Sequence, residues 1–219
     1  MEKCGTSTTS KKRFAKNSAY NPHKLERMSS RKIIAVFVGL EIIIIIISLL
    51  TEGYTLDALQ TITRFSGRLS LLLFSVIFLA YNRPAITTWL SDRFYLTFAI
   101  VHGIHLIEIL LFVGLSGVRL VPVRIAGGFL AYAYIFSMPL LQSLRDQGKI
   151  LRKTFATLEV IFLYYIWLIF FLTYLPRVQG KLPLAGGTFG EYVALLGWTS
   201  TMLGMKVAGL IQFKQQQEK

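Results

Sequence analysis

Six stretches of the chain, 33–50, 67–81, 95–115, 125–141, 155–175 and 190–213, are apolar over close to the length that a lipid bilayer demands. A hydrocarbon core about 30 Å thick needs roughly 20 apolar residues for one helical crossing. The second and fourth stretches are short and call for snorkelling Arg or Tyr at their ends. Helices covering a soluble core would carry polar stripes at period 3.6, and these windows show none. Composition agrees: 53% of the 219 residues are hydrophobic, 16% are charged, and the mean hydropathy is +0.54. The expected architecture is all-α, an integral membrane bundle of six transmembrane helices over 31–213. A basic, disordered tail (1–30) precedes it and a short tail (214–219) follows.

A net charge of +13 invites a nucleic-acid partner, but its distribution argues against one. Residues 1–32 hold nine Lys/Arg against two Glu, directly before the first span. Arg83, Arg93, Arg145, Lys149, Arg152, Lys153, Lys214 and Lys219 fall on the same side if the chain crosses six times. The opposite side receives only Arg64, Arg68, Arg119, Arg124, Arg177 and Lys181. The positive-inside rule then puts both termini in the cytosol and the protein in the plasma (inner) membrane. The basic tail would rest on anionic headgroups, at about 1 kcal/mol per cation near the surface. The lone Cys4 allows no internal disulfide. The first apolar run lacks a small-residue cleavage site and reads as a retained anchor.

The loops are short, so consecutive helices should be antiparallel neighbours. Loop 52–66 has the composition of a short interfacial helix. Loop 176–190 carries Pro183, Gly186 and Gly187, which suit a turn. "GGTFGEY" follows no strand and is no phosphate cradle.

Ionisable groups inside a bilayer are costly, few, and usually paired or functional. Here they are Glu41, His102, His105, Glu108, Glu159 and Lys206, with Glu191 near the outer end of the sixth span. At about 1.5 Å per residue, Glu41 sits about 12 Å from the cytosolic end, His102 and Lys206 about 10 Å, and Glu159 about 6 Å. Four helices thus contribute to one layer in the cytosolic half, with Glu108 about 20 Å in. His102, His105 and Glu108 cover an arc of about 120° on one side of the third helix, which should face the bundle interior. A structural polar layer is one reading: Lys206 pairs with Glu41 or Glu159, and the histidines donate to carbonyls or each other. Ligation of haem iron by imidazole is another. A bare metal fits less well, since the i, i+4 histidine pair of zinc helices is missing. A proton relay would use Glu41, His102, Glu159 and Lys206, but no Gly/Pro-broken helix accompanies it.

Several of these stretches resemble the ferric reductase-like transmembrane domain superfamily, a six-helix membrane fold that carries haem b. "FSGRLSLLLF" is similar to that family's small-Gly-Arg followed by leucines, and "RFYLTFAIVHGIH" to its aromatic-rich third helix closing on histidine. "YIFSMPLL" and "LRKTFATLEVIFLYY" resemble its fourth and fifth helices. The resemblance implies transmembrane electron transfer through a haem b ligated at His105, with His102 as an extra imidazole and a partner redox or membrane subunit. The chain departs from the pattern in the fifth helix. Glu159 stands where the family has a histidine, and Leu172 lies where a second is expected. His102 and His105 share one side of one helix, so they cannot clamp a single iron from opposite faces. A cofactor-free scaffold or assembly subunit is therefore the alternative.

Overall fold

The computed structural model describes residues 30–81, 93–117, 122–182 and 186–217. They form six helices: α1 (Ser30–Glu52), α2 (Leu56–Ala80), α3 (Phe94–Ser116), α4 (Pro122–Asp146), α5 (Arg152–Val178) and α6 (Phe189–Gln217). Four of them, α1, α2, α3 and α5, are long and apolar enough to cross a membrane. They make the chain a multi-pass membrane protein. The tail 1–29, Arg83, Pro183 and Lys219 lie outside the described residues.

Two boundaries differ from the sequence reading. Loop 52–66 is not a separate interfacial helix, because from Leu56 it forms the first turns of α2. Thr55 supplies the start: its side-chain oxygen accepts from the Ala58 N–H at 3.2 Å, and Asp57 sits in the positive first turn. The second helix is therefore 25 residues long and needs no snorkelling to span. At the other end, residues 214–217 continue α6.

Each helix packs on its neighbours in sequence, as short connections require. Helix α2 also touches α5 and α6, and α1 touches α3. Phe74 and Phe78 of α2, Phe98 of α3, and Phe162 and Phe170 of α5 fill the centre with interlocking rings. The Phe74 ring lies 5.8 Å from that of Phe98 and 5.4 Å from that of Phe170. Tyr and Trp bodies join this packing while their polar tips bond between helices. Tyr165 donates to Gly127 O at 2.9 Å, Tyr134 to Leu158 O at 3.1 Å, Trp167 to Thr199 O at 2.9 Å and Trp198 to Ser75 Oγ at 2.9 Å.

The surface is inverted relative to a water-soluble bundle. Ile42, Ile43, Ile46, Ile47 and Leu50 are at least half exposed along α1, whereas Glu41 is 1% and Glu108 6% exposed. Apolar groups outside and carboxyls inside is the arrangement lipid imposes. Truncation should follow this geometry. Phe98→Ala, at the fully buried centre, is expected to cost about 3–5 kcal/mol. Leu172→Ala, half exposed on α5, should stay within about 0.5 kcal/mol. Thermal unfolding in mild detergent measures both, and equal losses would contradict the packing.

Candidate functional site

Helical periodicity aims one stripe from each of α2, α3 and α5 at a common space. Thr63, Arg64, Gly67 and Arg68 come from α2, and His102, His105, Ile109 and Phe112 from α3. Ile166, Ile169, Phe170, Thr173 and Arg177 come from α5. With Gly128, Ala131, Tyr132 and Ile135 of α4 and Tyr192 of α6, they enclose a cavity of about 410 Å³. That volume lies within the usual range for small-molecule sites, about 300–1,000 Å³.

The two histidines line the same cavity but differ in environment. His102 is stacked between Phe98, at 5.3 Å between ring centroids, and Tyr132, at 4.8 Å. It packs as an aromatic. His105 lies against Gly67, where a Cβ would come within 3.0 Å of its Cε1 and 3.2 Å of its Nε2. Glycine at 67 is thus what admits the imidazole. Glu108, one turn further along α3, brings Oε2 to 4.0 Å from His105 Nδ1. The Nδ1 atoms of both histidines and both Glu108 oxygens are buried without a hydrogen bond.

The expected single layer of polar groups divides into two. Glu41 accepts from Ser66 Oγ of α2 at 2.9 Å, and its charge reaches Glu108. Lys206 donates to Phe78 O at 2.8 Å and Tyr81 O at 2.6 Å, with its ammonium over the Tyr81 ring. Ser66 and Phe78 are twelve residues apart on α2, about 18 Å along the axis. Glu41 and Lys206 therefore do not share a depth. Two displacements add: Glu41 meets Ser66 fourteen residues, about 21 Å, from the end of α2 and so lies deeper than the expected 12 Å, and the long lysine stem carries its cation to the last carbonyls of α2 and its negative dipole end. Glu159 accepts from the Tyr95 hydroxyl at the start of α3, within electrostatic range of Lys206.

Of the arginines at the cavity's polar end, Arg64 and Arg177 entered the sequence reading only as topology signals, and Arg68 also as part of the family-like "FSGRLSLLLF". Their spacing is what reveals them: Gln60, Arg64, Gly67 and Arg68 fall on one stripe, opposite Thr173 and Arg177. The discarded glycine pair belongs here too. Gly186 and Gly187 hold φ of +63° and +75°, a conformation that disfavours side chains. A Cβ on Gly186 would meet Arg64 Nη1 and Gln60 Oε1, each at 2.9 Å. The segment is tied down by the Tyr192 hydroxyl on Gly186 O and by Glu191. That carboxylate accepts from the Thr188 N–H and from Arg68, both at 2.9 Å.

These residues fit a haem held by one axial imidazole. A carboxylate behind a ligating histidine is the usual orienting partner of such a ligand, and arginines suit haem carboxylates. They do not fit a haem clamped by two residues. The facing wall on α5 is Ile166, Ile169 and Phe170. Among the described residues no cluster of three His, Cys, Asp or Glu converges as a metal site.

Two substitutions test the geometry. In an unobstructed helix Ala is better than Gly by about 1 kcal/mol. Gly67→Ala should reverse that sign and lower the unfolding midpoint, while Gly39→Ala, with nothing near its Cβ, should not. A gain at both positions would contradict the His105 contact. Lys206→Met should lose about 1.5–3 kcal/mol, the worth of a hydrogen bond to a charged group. Glu41→Gln should not restore it, and a recovery in the double variant would instead pair the two side chains.

The chain matches no protein-family model, and no curated protein or solved structure is significantly similar to it.

Proposed function

We propose that the chain crosses the plasma (inner) membrane six times with both termini cytosolic, and that it serves as an electron-transfer subunit holding one haem b at His105. The observation that carries this reading is the cavity, with His105 in its wall, Glu108 behind the imidazole and three arginines at one end. A bound haem would supply a one-electron couple inside the bilayer. The chain's own part is to bind and orient. Gly67 leaves room for the imidazole, Glu108 would close from 4.0 Å to accept from its Nδ1, and Arg64, Arg68 and Arg177 answer carboxylates. Ile135, Ile166 and Phe170 keep water from the ring. His102, stacked between Phe98 and Tyr132, supports the α3 wall rather than acting as a second ligand. A partner subunit would deliver or accept the electron.

A second reading, a cofactor-free scaffold or assembly subunit, draws on the α5 wall, which offers no opposing ligand. Colour separates the two. Protein purified in mild detergent from haem-replete cells should show a Soret band that shifts on reduction, and His105→Ala should abolish it while His102→Phe keeps it. A colourless wild-type preparation would leave only the scaffold. Reporter fusions at the amino terminus and within 147–150 should both report the cytosol, and opposite faces would refute six crossings.

A further inference from the structure

The cavity carries more positive charge than its own residues answer. Arg64, Arg68 and Arg177 all line it. One carboxylate meets them: Glu191 bonds Arg68 at 2.9 Å, and its field extends to Arg64. Glu52 is engaged elsewhere, accepting from Thr61 Oγ1 at 3.0 Å. Among the described residues Arg64 hydrogen-bonds that same hydroxyl, at 3.4 Å, and Arg177 donates to Thr173 O at 2.6 Å with its guanidinium 5.5 Å from the centre of the Tyr192 ring. The Nε atoms of both Arg64 and Arg177 are buried and make no hydrogen bond among the described residues. Guanidinium donors deprived of both water and an acceptor are costly, and such groups in membrane proteins mark ligand paths. Beyond this cationic end the walls turn apolar, with Ala131, Ile135, Ile166 and Phe170.

We propose that the cavity is a receptor for an amphiphile with one anionic head group, a carboxylate or a phosphate, its head at Arg64 and Arg177 and its apolar body against Ile135, Ile166 and Phe170. A forked guanidinium matches either oxyanion in two-point geometry. The head group would meet the outer guanidinium nitrogens of Arg64 and Arg177, and the local charge excess falls. The low dielectric around the site strengthens the attraction, so the head group and not the tail sets the preference. The proposal rests on the arginines and the apolar wall, which a haem at His105 would occupy as well, so it concerns the haem-free cavity, where the two ligands would compete.

The test uses the full chain in phosphatidylcholine nanodiscs, a zwitterionic lipid chosen to supply no anionic competitor. The protein comes from haem-depleted cells, so a failure of the haem reading leaves the measurement intact. The probes are oleate, oleoyl lysophosphatidate, oleyl alcohol and inorganic phosphate. One or both acids should bind about tenfold to a hundredfold more tightly than the alcohol, as the gain of one charge-assisted hydrogen bond predicts. A preference for oleate points to fatty-acid carboxylates, and a preference for lysophosphatidate to lipid phosphates. Arg64→Gln and Arg177→Gln should each erase most of the difference, while Arg64→Lys keeps part of it. Unfolding midpoints confirm that each variant is folded. Equal affinity for acid and alcohol, or an acid preference that survives the double Arg→Gln change, overturns the proposal. Inorganic phosphate binding as tightly as lysophosphatidate overturns the part played by the apolar wall.

Discussion

A side chain that can neither face water nor pair with lipid must find its partner on another helix, and in this bundle α2 supplies most of them. Its Ser66 bonds Glu41 of α1, and its Gly67 receives His105 of α3. Further along the same helix, Arg68 meets Glu191, Ser75 accepts from Trp198, and the terminal carbonyls hold Lys206 of α6. One helix thereby fixes the rotation and height of three others. This bonding carries specificity that apolar packing cannot, because lipid tails compete equally well for apolar surfaces. Residues such as Ser66 and Gly67 suit the task. They are small enough to bring backbones close, and they leave the larger partner to cross the gap.

The all-α, multi-pass character was legible because it depends on segment length and hydropathy, two properties that need no knowledge of neighbours. The extent of α2 was less so. Residues 56–66 are polar enough to read as a loop, yet the Thr55 cap and the unbroken hydrogen-bond ladder carry the helix through them. Their polarity is explained by what they line, since Gln60, Thr63 and Arg64 face the cavity. The depth of each ionisable group was read from its Cα. That count misplaces Glu41, which meets Ser66 about 21 Å from the end of α2, and it takes no account of the stem that carries the Lys206 nitrogen.

Within the site, the histidines were conspicuous and the arginines were not. Two imidazoles in an apolar helix violate expectation at once. Arginines near the ends of spans look like anchors, and only the pairing of the α2 and α5 stripes gives them a shared purpose. The glycine pair in 183–190 carried a similar ambiguity. Its role is geometric, to let a tight segment lie against Arg64 and Gln60, and no phosphate-loop pattern describes that. The residues that chemistry singles out were found from sequence, while those that shape and charge the space around them needed the fold.

The two ends of the cavity are not electrically independent. Arg177 bonds the backbone of α5 at the polar end and lines the same cavity as His105. Between them lie Ile166, Ile169 and Phe170, which offer little screening. An anion settling at Arg64 and Arg177 would therefore change the potential at the imidazole without touching it. In the haem-free protein the occupant of the cationic end would thus bear on the surroundings of the imidazole, and the apolar wall between them is what preserves the influence.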